Sequence, residues 1–260
     1  MVKAADRAKN PARSSVWLET RTPRSGGGPA GLDRDRIVAA AIRMLDEEGL
    51  AKLSMRKLAA ELNVTAMSLY WYVDTKDDII EYAVDTVYGE IDLAAVDAAG
   101  DWRDRMRVLA LAYRRMLVRH PWMSPCAGYY LNIGPHAIAV GGKIQETVRD
   151  TGLPMDRQPS AMSAVFQFVY GYGTIQSQFE SRAAQAGMSQ NEFYGESIKA
   201  FRDDPQFMQA LAPMTELLDE RASHGSVTDI WDRDFAYALD VLVAGIEVMV
   251  ARESATGTGT

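Results

Sequence analysis

Apolar side chains recur at helical spacing along most of the chain. Ile37, Ala40, Ala41, Met44 and Leu45 fall at i, i+3, i+4, i+7 and i+8, one face of a helix that Asp33 can cap and Gly49 can end. Ser54 can cap a short second helix carrying Leu58, Ala59 and Leu62 on one side. Asn63-Val64 then reads as a tight turn, since Asn tolerates the left-handed conformation. Thr65 can cap a third short helix over 66–72. Thr75-Lys76-Asp77-Asp78 has capping-box spacing, and its carboxylates suit the positive end of a helix dipole. The fourth helix that follows carries Ile79, Ile80, Ala83, Val84, Val87, Tyr88 and Ile91. Further helices are expected over 102–119, 135–150, 157–186, 193–201, 207–222 and 227–251. No strand-period alternation and no internal repeat occurs, so the predicted fold is all-α.

Three short helices followed by a longer one, the second and third joined by a tight turn, make a helix-turn-helix candidate. Leu58, Ala59, Leu62, Val64, Leu69 and Val73 can form its miniature core. Ser54, Arg56, Lys57, Thr65, Ala66, Ser68, Tyr70 and Tyr72 are left to face a DNA groove. By periodicity alone the same helices serve equally as ordinary members of a bundle.

Charge sharpens the picture. The 260 residues carry a net charge of −7, which as a total disfavours nucleic acid. Residues 1–76, however, hold 13 Lys and Arg against 9 Asp and Glu, whereas 77–260 hold 15 against 26. A basic front on an acidic body is the asymmetry expected when one small domain meets a polyanion. Residues 1–31 read as a flexible basic tail in which only Val16, Trp17 and Leu18 have docking potential, and Arg21 and Arg24 as a solvated or groove-reaching arm.

The chemical inventory for catalysis is thin. Cys126, the one cysteine, excludes an internal disulfide, and with His120 and His136 it lacks any oxyanion motif. Gly171-x-Gly173 lacks the strand and third glycine of a dinucleotide site. No cofactor and no metal site is expected, and an all-α enzyme is the alternative of a different class. No apolar run is long enough for a bilayer and no leader is visible, so a cytoplasmic protein without membrane partners is expected.

The residues 53–64, LSMRKLAAELNV, with Ser68-Leu69-Tyr70-Trp71-Tyr72-Val73 and Lys76, closely resemble the DNA-binding domain of the tetracycline-repressor (TetR) family. The match spans 32–91. Residues 112–120 and the final helix also look like the C-terminal domain of that family. The resemblance implies a helix-turn-helix domain over 32–78, a larger helical ligand-binding and dimerisation domain over 79–253, and a short tail over 254–260. It implies that Ser54, Met55 and Arg56 lie beside the DNA backbone and major groove, that Thr65, Ala66, Met67 and Ser68 face bases, and that Tyr70, Tyr72 and Lys76 hold phosphates. Apolar Ala66 and Met67 suit thymine methyls, which leaves Arg56 as the expected bidentate base contact. Trp71 is expected in the core with Leu69 and Val73.

The resemblance further implies a homodimeric repressor on a palindromic double-stranded operator, released by a small-molecule inducer. Trp122, Tyr129, Tyr130, Phe166, Tyr170 and Gln176 are the expected lining for a hydrophobic or aromatic ligand. Tetracycline repressors hold a magnesium chelate through a histidine whose position here falls near Cys126-Ala127-Gly128, where no imidazole stands, so the expected inducer is metal-independent. A TetR-fold activator or a regulator sensing a protein partner fits the same resemblance.

Overall fold

The computed structural model describes residues 15–18, 31–203 and 225–257, with residues 206, 209, 213, 216 and 220 between the last two stretches. No strand occurs among them. The chain divides into two compact units, 1–150 and 151–260. Most of the expected tail over 1–31 and of the expected helix over 207–222 lies outside the described residues.

The first unit starts with α1 (Arg34–Glu48), α2 (Met55–Glu61), α3 (Ala66–Leu69) and α4 (Lys76–Tyr88). Each start is set by the side chain the sequence offers. Asp33, Ser54, Thr65 and Thr75 accept from the amides of Arg36, Lys57, Ser68 and Asp78, respectively. Each satisfies an amide that has no partner within its helix. Asn63 turns the chain between α2 and α3 with φ +55°. Leu58, Ala59, Leu62, Leu69 and Val73 are buried, as are Ile37, Ala41 and Leu45 of α1, and α2 packs on both α1 and α3. α1 also packs along α4.

Around α4 the unit is completed by α5 (Leu93–Ala98), α6 (Trp102–Arg119), α7 (Met123–Cys126) and α8 (Pro135–Arg149). α5 and α7, six and four residues long, are too short for a periodic signal. α4 is buried on every side over residues 78–85, charged positions included. Within the stretch expected to be tail, Ser15 and Val16 are buried.

The second unit contains α9 (Gln158–Gln185), α10 (Gln190–Arg202) and α11 (Val227–Gly257), packed pairwise. α10 begins earlier than periodicity indicates because Ser189 and Glu192 form a reciprocal cap. The Glu192 carboxylate accepts the Ser189 amide at 2.8 Å, and the Ser189 hydroxyl accepts the Glu192 amide at 3.2 Å. α11 runs on to Gly257, through the segment expected to be tail. Its Phe235, Leu239, Val243 and Ile246 are buried, whereas Tyr237, Val241 and Val248 form a separate exposed apolar stripe. Phe168, Tyr172, Trp231 and Phe235 pack ring against ring, with centroids 5.2–5.6 Å apart. Phe179 extends the cluster to Phe193 of α10.

Candidate nucleic-acid interface

The second and third helices present a compact polar and apolar surface. Ser54 is half-buried, its hydroxyl accepting the Lys57 amide at 3.3 Å, with half-buried Met55 and exposed Arg56 following it. Lys57 is turned back to Glu48 at 2.7 Å, and that ammonium holds the Glu48 carboxyl below its usual range. On α3, Thr65 is exposed, Ala66 and Ser68 are half-buried, and Met67 projects furthest, 71% exposed. The Thr65 and Ser68 hydroxyls lie 3.0 Å apart.

Trp71 departs from expectation. It is 45% exposed, while Leu69 and Val73 are fully buried. The reason is the helical phase set by α3, in which residue 71 lies roughly 200° round the axis from 69 and 73 and so faces away from them. Beyond α3 the amides of Tyr72 and Val73 both return to the Leu69 carbonyl, which directs 69 and 73 inward and 71 outward. The indole is an exposed neighbour of the expected site, where the resemblance implied a core position. Tyr70 and Tyr72 are half-buried. The Tyr72 hydroxyl donates to the Leu32 carbonyl, at the entry to α1. Lys76 donates to the Leu50 carbonyl at 3.3 Å, one of the three donors an ammonium carries.

α4 leaves this head through a series of acid contacts. Glu81 accepts the Val16 amide at 3.0 Å and the Ser15 hydroxyl. Asp85 accepts the Ala137 amide of α8 at 2.9 Å. Beyond the helix, Glu90 lies 3.1 Å from His120 Nε2, while Asp46 of α1 lies 2.7 Å from His120 Nδ1 and accepts the Trp122 indole N–H at 2.7 Å. His120 is 1% exposed. With a carboxylate on each ring nitrogen, both must donate, which is the imidazolium form. Burial pulls its pKa down, but the hydrogen bonds and charges of Asp46 and Glu90 outweigh that and leave it above the ordinary histidine value.

Of the residues expected to line a ligand site, Trp122, Tyr129 and Tyr130 belong to the first unit. Trp122 is buried, Tyr129 is exposed and stands edge-on to half-buried Tyr130 at 5.0 Å. Burial, and next the charge of Asp77, push the Tyr130 phenol up. Phe166, Tyr170 and Gln176 sit on α9 in the second unit, with Gln176 buried and donating to Glu180 at 2.9 Å. Burial lifts the Cys126 thiol to about 11, so it is protonated at neutral pH and donates to the Trp122 carbonyl at 3.2 Å. Among the described residues no group of three or more His, Cys, Asp or Glu is placed to hold a metal ion, and no helix is long and apolar enough to cross a membrane.

Residues 37–83 match the bacterial regulatory proteins of the tetR family, and residues 94–250 match the tetracyclin repressor-like C-terminal domain. The chain belongs to the TetR family. This TetR-family chain is therefore a transcriptional regulator with a helix-turn-helix DNA-binding domain. It is 36% identical over 166 residues to an HTH-type transcriptional regulator of Saccharopolyspora erythraea, covering 64% of this chain and 69% of that protein. It is 29% identical over 237 residues to the HTH-type transcriptional repressor DrrR1 of Streptomyces coeruleorubidus, covering 91% and 85%. Apo ActR from Streptomyces coelicolor shares the fold with a TM-score of 0.64 at 24% identity, over 86% of this chain and 99% of ActR. ActR in complex with actinorhodin aligns with the same TM-score and identity.

For this regulator, sequence reasoning missed the acid contacts of α4. Glu81 and Asp85 meet partners 66 and 52 positions away along the chain. No spacing rule reaches that far. The one usable signal was the run of carboxylates at 78, 81 and 85 on a helix otherwise composed for burial.

Proposed function

We propose that this regulator is a cytoplasmic homodimeric repressor that binds a two-fold symmetric double-stranded operator and leaves it when a hydrophobic or aromatic small molecule binds. The observation that carries the DNA reading is the head itself. A closed miniature core holds α3 in place, and Arg56, Thr65 and Met67 stand exposed on and beside it. Arg56 supplies the bidentate contact to guanine, and Ala66 and Met67 meet thymine methyls. Ser54, Met55 and Ser68 border the groove, and Tyr70 and Lys76 hold the backbone, joined by the indole of Trp71. Tyr72 spends its one hydroxyl proton on the Leu32 carbonyl and steadies the head behind them.

The dimer reading is supported by the exposed stripe Tyr237, Val241 and Val248 on α11, with Ile175 of α9 also exposed. A second copy meeting the same stripe is the self-complementary contact of a two-fold dimer. The ligand reading is supported by the aromatic composition of both units and by Trp231. Among the described residues its buried indole N–H has no partner, and a ligand acceptor would satisfy it.

The test is a gel-shift titration with the DNA upstream of the protein's own gene, with and without actinorhodin as the probe ligand. Retardation of that fragment against an unrelated fragment, reversed by the probe, is expected. Equal retardation of both fragments removes the operator reading. Retardation that the probe leaves intact, with no thermal shift, removes an actinorhodin-like ligand.

A further inference from the structure

Residues 15–18 form a short segment docked against α4, its contacts to Glu81 spanning 65 and 66 positions of the chain. Ser15 is fully buried and Val16 nearly so, while Leu18 is 48% exposed. Three contacts fix the segment. The Ser15 hydroxyl and the Val16 amide both donate to the carboxylate of Glu81, whose side chain is itself buried. The Trp17 ring meets Tyr82 edge-on, with centroids 5.1 Å apart and planes at 84°. The Leu18 amide returns to the Ser15 carbonyl at 3.2 Å and the Trp17 amide to the Ser15 hydroxyl at 3.2 Å, so the segment is a self-closed turn.

Tyr82 is shared. The guanidinium of Arg34, in the first turn of α1, lies 4.7 Å from the centroid of the same ring. The N-terminal segment, the start of the DNA-binding head and α4 thus meet at one side chain. α4 cannot turn about its axis without drawing Glu81 away from both donors and Tyr82 away from Trp17 and Arg34.

We propose that residues 15–18 are an intramolecular strap that sets the position of α4 against the first helix of the head. Separating the strap removes two donors from a buried carboxylate that shares its helix face with Asp78 and Asp85. Leaving a buried charge short of donors is unfavourable, so strap and helix position are coupled. The strap acts through neutral donors and an aromatic edge, and so differs from a basic arm that grips DNA phosphates.

The experiment is hydrogen exchange, followed by mass spectrometry, on the full chain and on Trp17→Ala, Ser15→Ala and Leu18→Ala. It needs no DNA and stands apart from the operator reading. In Trp17→Ala and Ser15→Ala, amides of Lys76–Tyr88 are expected to exchange at least fivefold faster, with α9 unchanged. Leu18→Ala is expected to match the parent. Ser15→Ala is the mild variant that keeps the fold if Trp17→Ala does not. Exchange of α4 within twofold of the parent in Ser15→Ala, or equal acceleration in Leu18→Ala, overturns the proposal.

Discussion

Asp85 caps a helix that is not its own: its carboxylate accepts the Ala137 amide at 2.9 Å, while Gly134, at the cap position of α8, makes no side-chain bond. The fit is close enough to demand glycine at 134, because a β-carbon there would lie 2.2 Å from Asp85 Oδ1. Asp85→Ala is expected to cost about 1–3 kcal/mol, the range for an orphaned buried donor. Gly134→Ala is expected to cost at least as much, since the intruding methyl group displaces the same carboxylate. Urea unfolding of both single variants and the double checks this. The double is expected to fall short of the sum, because each change already breaks the one bond.

The imidazolium of His120 makes stability depend on pH in a defined sense. A folded-state pKa raised above the unfolded value near 6.5 means the contribution is complete below that value and is lost as pH rises through the folded one. Asp46 and Glu90 face the ring. Trp122 holds Asp46, and Arg119 holds Glu90 at 3.1 Å. The loss on the alkaline side is assigned to the imidazolium of His120, and the His120→Gln variant isolates it. Denaturant midpoints followed from pH 6 to pH 9 are expected to decline in the parent, and the decline to flatten in His120→Gln. His120→Ala at pH 6 is expected to cost about 3 kcal/mol, as for a buried ion pair broken on one side.

Two substitutions on the head separate reading from gripping. Arg56→Ala is expected to cost about 1–3 kcal/mol of operator affinity and to relax preference at one base pair. Lys76→Ala is expected to weaken all sequences alike and to lower the slope of log affinity against log salt by about one. Selection from a random DNA pool, followed by anisotropy titrations at several salt concentrations, measures both. Two variants that bind like the parent would remove the assignment.

The apolar stripe on α11 gives the test of assembly. Val241→Glu places a charge in the middle of Tyr237, Val241 and Val248, and is expected to halve the mass seen by light scattering at micromolar concentration with helicity retained. A parent chain that is already monomeric under those conditions would overturn the dimer reading.

The helices and the head were legible in the sequence because their causes are local. Asp33, Ser54, Thr65 and Thr75 each cap a helix three residues ahead, and Asn63 makes its own turn. The stripe on α11 was only half legible. Helical spacing predicts the helix over 227–251, but the division into buried Phe235, Leu239 and Ile246 and exposed Tyr237 and Val241 depends on what α9 and α10 cover. Trp71 was misplaced because the resemblance and not its spacing put it in the core: two positions from both Leu69 and Val73, it falls on the opposite side of the helix from them. The partners of Glu81, Asp85 and His120 were not legible at all, since burial of a charge is decided by donors brought from distant segments.

The bond from Tyr72 to the Leu32 carbonyl joins the end of the recognition element to the entry of α1. Together with the Lys76 bond to Leu50, it bolts the head at two points outside its core, so the head behaves as a solid key cut once. In the proposed dimer such a key offers no local adjustment of its teeth. What remains variable is the span between two keys and the angle at which each is presented, so the operator acts as a ruler. A signal that changes that span by a fraction of a base-pair step mismatches both half-sites at once.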